Sequence, residues 1–204
     1  MSAMLQCKTV SYRDESLTDK KEFIKFKSLL EERFPEIHKK ANLVKIGKTG
    51  LLYHIEGKKS DNPTVCMSHY DVVPADENQW EKPAFEGIIE NDEIWGRGAI
   101  DTKSTLCGVT EALEIMLKNG YIPSNDLYLS FSGEEEIDGS SCPEIVAYLE
   151  KAGVKPAFVL DEGGAIVDHV FPGVSKECAI VGTGEKGSVN YEFEVVSGGG
   201  HSSI

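Results

Sequence analysis

An α/β layered fold with a largely parallel sheet is the architecture this sequence predicts, on three observations. Short apolar runs of strand length alternate with longer stretches of helical apolar spacing along most of the chain. Glycine and proline punctuate the changes from one pattern to the other. One histidine and several acidic residues fall immediately after the C-terminal ends of the apolar runs, where open α/β sheets place their ligands.

Each element follows in order. Residues 16–40 carry Phe23, Phe26, Leu29, Leu30 and Phe34 among many charges, the spacing of a helix with one buried face, and Pro35 ends or kinks it. Residues 51–55 read as a strand. Residues 63–68 read as a second one, which delivers His69. A polar stretch with Pro74, Trp80 and Pro83 makes an ordered loop. Glu93-Ile94-Trp95 is a brief strand broken at Gly96-Arg97-Gly98, and residues 103–119 then have helical spacing closed by Gly120. Residues 126–132 alternate as a strand and enter Gly133-Glu134-Glu135-Glu136. A helix over 141–152, capped by Gly153, leads to an apolar strand over 156–160 that delivers Asp161. Residues 188–196 alternate again, as a half-exposed strand followed by Gly198-Gly199-Gly200-His201. A single strand cannot bury its own apolar face, so a first domain over 1–187 and the start of a second over 188–204 are expected.

With 204 residues, 40% of them hydrophobic, the chain has enough material for a real core, and a disordered or fibrous class is excluded. A net charge of -13 argues against binding nucleic acid or an anionic membrane surface, both of which need clustered Lys and Arg. It is equally compatible with plain solubility. Cys7, Cys66, Cys107, Cys142 and Cys178 are an odd number without a Cys-x-x-Cys pair, which fits reduced thiols and a cytoplasmic home. Neither a secretory leader nor an apolar run of membrane-spanning length is expected.

Four motifs carry chemistry. In Ser68-His69-Tyr70-Asp71 a histidine at a strand end can ligate a metal through one ring nitrogen while a nearby carboxylate holds the other. In Gly96-Arg97-Gly98-Ala99-Ile100-Asp101 an aspartate with two free oxygens can bridge two ions, although alone it reads as a helix N-terminal acid. Glu134-Glu135-Glu136 crowds three like charges, which is unfavourable unless cations neutralise them or water screens them. Asp161-Glu162-Gly163-Gly164 is again acid at a strand end.

In type, order and spacing these four motifs resemble the aminoacylase/carboxypeptidase family of dinuclear zinc metallopeptidases, which includes acetylornithine deacetylase, succinyl-diaminopimelate desuccinylase and carboxypeptidase S-like enzymes. The likeness runs from about Leu51 to the last residue. It implies a three-layer α/β/α zinc-peptidase catalytic domain, incomplete at its C-terminal side, followed by the first strand of a lid or dimerisation domain. It also implies a hydrolase of amide bonds in small peptides or N-acyl amino acids, with two Zn2+ per complete enzyme and Co2+ or Mn2+ as substitutes. Carried over residue by residue, His69 and Asp161 are ligands of the first zinc, Asp101 is the bridge, and Glu136 binds the second. Glu135 is the general base acting on a zinc-bridging water, Asp71 orients the His69 imidazole, and His201 stabilises the developing oxyanion. Dimerisation through the lid belongs to the complete enzyme. Asp138 departs from the family pattern, where many members have glycine. Members also carry a further histidine downstream that nothing here matches, so the rival expectation is a catalytically silent, metal-binding fragment.

Other signals fail. Gly182-Thr183-Gly184-Glu185-Lys186-Gly187 has the spacing of a dinucleotide loop, but a strand pattern follows where a helix is required. Gly47-Lys48-Thr49 lacks the earlier glycine of a phosphate loop, the position being Asn42. His38, His54 and His169 have no acidic cluster of comparable spacing, and Trp95 reads as core. A calcium-like oxygen site is disfavoured by the histidine of the first motif.

Overall fold

The computed structural model describes residues 1–184, 186, 187, 189, 191–194 and 196. They divide into two compact units, Met1–Glu162 and Gly163–Ile204, so the boundary expected at 187/188 falls inside the second unit.

The first unit opens with a short helix α1 (Ser2–Leu5), followed by α2 (Lys20–Arg33) and α3 (Pro35–Lys40). Asp19 caps α2 by accepting the Lys21 N–H. Proline disfavours helical geometry in the residue before it, and Phe34 accordingly sits at φ -123 and ψ 60, splitting the expected helix in two. With no capping side chain of its own, α3 borrows one: the Glu114 carboxylate accepts the N–H groups of Glu36 and Ile37, each at 2.9 Å.

Strands β1 (Asn42–Ile46) and β2 (Gly50–Ile55) form an antiparallel hairpin, and β3 (Thr64–His69) follows. A second hairpin, β4 (Ile88–Glu90) with β5 (Glu93–Trp95), stands apart as its own two-stranded sheet. Helix α4 (Lys103–Lys118), strand β6 (Leu127–Ser132), helix α5 (Ser141–Lys151) and strand β7 (Phe158–Leu160) complete the unit. The main sheet has the order β1-β2-β6-β3-β7. It is mixed: β3 runs parallel to β6 and β7, whereas β2 is antiparallel to both β1 and β6. The first hairpin is what departs from a largely parallel sheet.

Both faces of this sheet are covered, because side chains alternate between faces along a strand. Leu51, Tyr53, Ile55, Leu129 and Phe131 join Phe26, Leu30, Ile37, Leu106, Leu113 and Leu117 of α2, α3 and α4 in the larger core. Leu52, Val65 and Tyr128 face the other way and pack with Ile145 and Leu149 of α5. Helix, sheet and helix thus make the three layers the resemblance implied.

In the second unit, β8 (Ile166–Val167) and β9 (Cys178–Ala179) pair antiparallel. The described residues among 188–196 are not in a strand, and Glu185, Ser188, Asn190, Val195 and residues 197–204, including His201, lie outside the described residues.

Candidate metal centre

The parallel pairing of β3 with β6 sets His69 opposite Ser132, so the end of β3 and the acidic turn after β6 emerge side by side. On the other flank β7 stops opposite Cys66, and Asp161 and Glu162 follow it. Asp101 comes from the turn just ahead of α4. That turn approaches the segment after β3 closely: Gly98 has φ +83, and a Cβ there would lie 2.6 Å from Val72 Cγ1. Gly133 is under the same pressure, since a Cβ would stand 2.6 Å from the Tyr70 ring.

His69 is 2% exposed, and its two ring nitrogens have different company. Nδ1 lies 3.1 Å from the Asp71 carbonyl oxygen and 3.3 Å from the Asp71 carboxylate, an arrangement that places the proton there. Nε2 points into carboxylates: Asp101 Oδ1 at 2.9 Å, Glu162 Oε1 at 3.1 Å and Glu135 Oε2 at 3.8 Å. Ligand atoms converge in two groups that share this histidine, His69 with Glu135 and Glu162, and His69 with Asp101 and Glu136.

The electrostatics follow from that crowding. Burial works to lower the His69 pKa, but hydrogen bonds to Asp71 and Glu162 and the charges of both push it up to about 11. Burial raises Glu135 and Glu136, with the neighbouring carboxylates adding to it and His69 opposing. Burial would raise Glu162 too, yet its hydrogen bond to His69 leaves it lowered. Carboxylates gathered this closely around a buried imidazole favour a cation at the site.

Of the residues singled out by sequence, His69, Asp71, Asp101, Glu135 and Glu136 come together here. Asp161 stands apart from both groups: it is exposed, and its Oδ1 accepts the Glu162 N–H at 2.9 Å. The neighbour, Glu162, is the one that reaches His69, and the Asp161-Glu162 dipeptide was the available signal for it. Glu134 turns away to accept the Ser141 N–H at the start of α5. Asp138 occupies a left-handed conformation at φ +54, a region that glycine adopts freely and aspartate tolerates, and pairs with Arg13 at 2.9 Å.

Beside Asp101 and Glu136 opens a cavity of about 710 Å³, lined also by Val73, Trp80, Trp95 and Arg97. Trp95, read from sequence as core, is a cavity wall instead. The Arg97 guanidinium carbon sits 5.2 Å over the Trp80 ring, and its buried Nε has no hydrogen-bond partner among the described residues. His54 forms a 2.9 Å pair with Asp126 and stacks on Tyr128, an ordinary packing role. No helix of the described residues is long and apolar enough to cross a membrane.

Residues 65–202 match peptidase family M20/M25/M40. The chain is 36% identical to the N-fatty-acyl-amino acid synthase/hydrolase of Xenopus tropicalis over 100% of its own length and 40% of that protein. It is also 36% identical to the probable carboxypeptidase S-like 2 of Dictyostelium discoideum, over 97% of its own length and 39% of that protein. It therefore spans about 40% of the length of these curated relatives. Among solved structures, the M20 family metallo-carboxypeptidase of Sulfolobus solfataricus superposes with a TM-score of 0.61 at 29% identity, covering 82% of this chain and 37% of that one. Strand-end acids around a buried histidine, a matching family pattern across most of the chain and a shared three-layer fold lead to one conclusion: the chain belongs to the M20/M25/M40 peptidase family.

Proposed function

We propose that the chain carries the metal-binding and proton-transferring residues of a zinc-dependent hydrolase of amide bonds in N-acyl amino acids or small peptides. The observation that supports this most is the buried His69 imidazole, held at Nδ1 by Asp71 and met at Nε2 by carboxylates from three separate segments. A merely solvated acidic turn would not enclose a histidine to 2% exposure.

The donor set fits a divalent ion of intermediate softness. One imidazole with several carboxylates suits zinc, cobalt or manganese, whereas calcium prefers oxygen alone. His69, Asp101 and Glu136 are the residues that would hold the ions, joined by a carboxylate from the Asp161–Glu162 pair. When bound, such ions supply Lewis-acid polarisation of the scissile carbonyl and lower the pKa of water at the site. Glu135 takes the proton from the attacking water and hands it to the leaving nitrogen. Asp71 keeps the Nδ1 proton in place, so that the Nε2 lone pair faces the ions.

The cavity supports the substrate class. Trp80 and Trp95 offer an apolar wall to an acyl group or side chain, and the Arg97 guanidinium, without an ion-pair partner among the described residues, offers a fork for a free carboxylate. The names of the relatives, which speak of N-fatty-acyl amino acids and of carboxypeptidase S, point the same way.

The test is zinc content per chain together with hydrolysis of a panel of N-acyl amino acids and dipeptides. Glu135→Gln is expected to lose turnover by roughly 10²–10⁴-fold while keeping its zinc. Equal activity in that variant removes the role given to Glu135. Bound zinc without any turnover in the unaltered chain favours the silent metal-binding reading instead.

A further inference from the structure

The N-terminal segment reaches the metal centre, although nothing in its sequence announces a functional role. Asp71 is fully buried, and a buried carboxylate must find donors for both oxygens. Oδ1 accepts the Glu135 N–H at 3.1 Å and faces His69 Nδ1 at 3.3 Å. Oδ2 accepts the Glu136 N–H at 3.1 Å and the Ser11 hydroxyl at 2.7 Å. Ser11 is itself buried, at 4% exposure, and its bond is the shortest of the four.

The segment is built to hold this hydroxyl still. Val10 bridges Val72 in parallel, the Val72 N–H donates to Thr9 O at 3.0 Å, and the Ser11 N–H donates to Val72 O at 3.3 Å. The Thr9 hydroxyl donates to the Tyr70 carbonyl, so residues on both sides of Asp71 are tied to Thr9–Ser11. Further upstream the fully buried Lys103 ammonium donates to Met4 O at 3.0 Å and Cys7 O at 2.8 Å, anchoring the segment to the start of α4, two residues beyond Asp101.

We infer that Ser11 is a positioning residue of the metal centre: through Asp71 it fixes the His69 ring and the backbone of the Glu135-Glu136 turn together. It touches neither substrate nor ion. Its action passes through one carboxylate that would otherwise have a single N–H donor on Oδ2. This rests on the proposed metal site, and the measurement separates the two.

Zn2+ affinity of the whole chain is measured by competition with a chromophoric chelator, beside the visible absorption spectrum of the Co2+-loaded chain. Ser11→Ala is expected to weaken zinc by about 10–100-fold, the usual cost of removing an outer-sphere partner, and to shift the cobalt bands. Ser11→Thr and Ser11→Val are close in shape and differ in the hydroxyl, so they decide the matter even where Ala impairs folding. Thr is expected to stay within about 3-fold of the unaltered chain and Val to follow Ala. Equal affinity and equal cobalt spectra for Thr and Val overturn the role of Ser11 while leaving the metal site standing. Failure of the unaltered chain to bind either ion overturns both.

Discussion

At the scale of single residues, the sharpest question is posed by two neighbours, Asp161 and Glu162. The family resemblance assigns the ligand role to Asp161, whereas the structure brings the Glu162 carboxylate to 3.1 Å from His69 Nε2. Both follow the end of the same short strand, β7. Asp161→Asn and Glu162→Gln, titrated side by side with zinc, will separate them. Loss of the ligating side chain is expected to cost at least 10-fold in affinity, with the other variant within about 3-fold. Comparable losses in both would mean that the pair acts as a unit. His69 and the acids after β6 and β7 were legible in the sequence because they follow apolar runs, a pattern that survives without knowing how the strands pair, whereas Asp101, in a glycine-flanked turn, was singled out by the family resemblance. Ser11 was not legible, because a serine among Thr9, Val10 and Tyr12 carries no periodic or spacing signal, and only the tertiary approach to Asp71 gives it meaning.

At the scale of elements, helix α2 supports the site from behind. Phe26 stacks on Tyr70, with ring centroids 4.9 Å apart and an interplanar angle of 8°, and Lys103 Nζ lies 5.3 Å over the same phenyl ring. Tyr70 sits between His69 and Asp71, so this packing fixes the strand end as well as filling the core. Phe26→Ala is expected to destabilise the chain by about 3–5 kcal/mol, measured by urea unfolding. A loss under about 1 kcal/mol would show that the core closes over the gap. The strands that pointed to the site were read correctly from their apolar runs. Strand β1 was missed because its apolar residues, Leu43, Val44 and Ile46, are interrupted by Lys45 and make neither a continuous run nor a clean alternation. Missing it also hid the hairpin that makes the sheet mixed. The split between α2 and α3 was legible from Pro35, but the cap that Glu114 lends to α3 depends on a contact 78 residues away in sequence.

At the scale of the whole molecule, the two ligand groups share one histidine, and this has a consequence for how ions are taken up. An imidazole nitrogen has one lone pair, so Nε2 of His69 can be given to a single ion at a time. On the proposed site the first ion bound would take the nitrogen and relieve the repulsion among Asp101, Glu135, Glu136 and Glu162. Among the described residues a second ion would meet oxygen donors only, with part of their negative charge already spent. Filling is then a sequence of unequal events, and calorimetric titration of the chain with Zn2+ should resolve a tight first equivalent and a second weaker by at least about tenfold, or 1.4 kcal/mol. Two equal steps would mean that another nitrogen donor serves the second position. On the proposed site the second position would offer hard oxygen donors, chemically unlike the first, so a chain loaded with one zinc would act as a selector in its own right, taking manganese or magnesium there more readily than at the first.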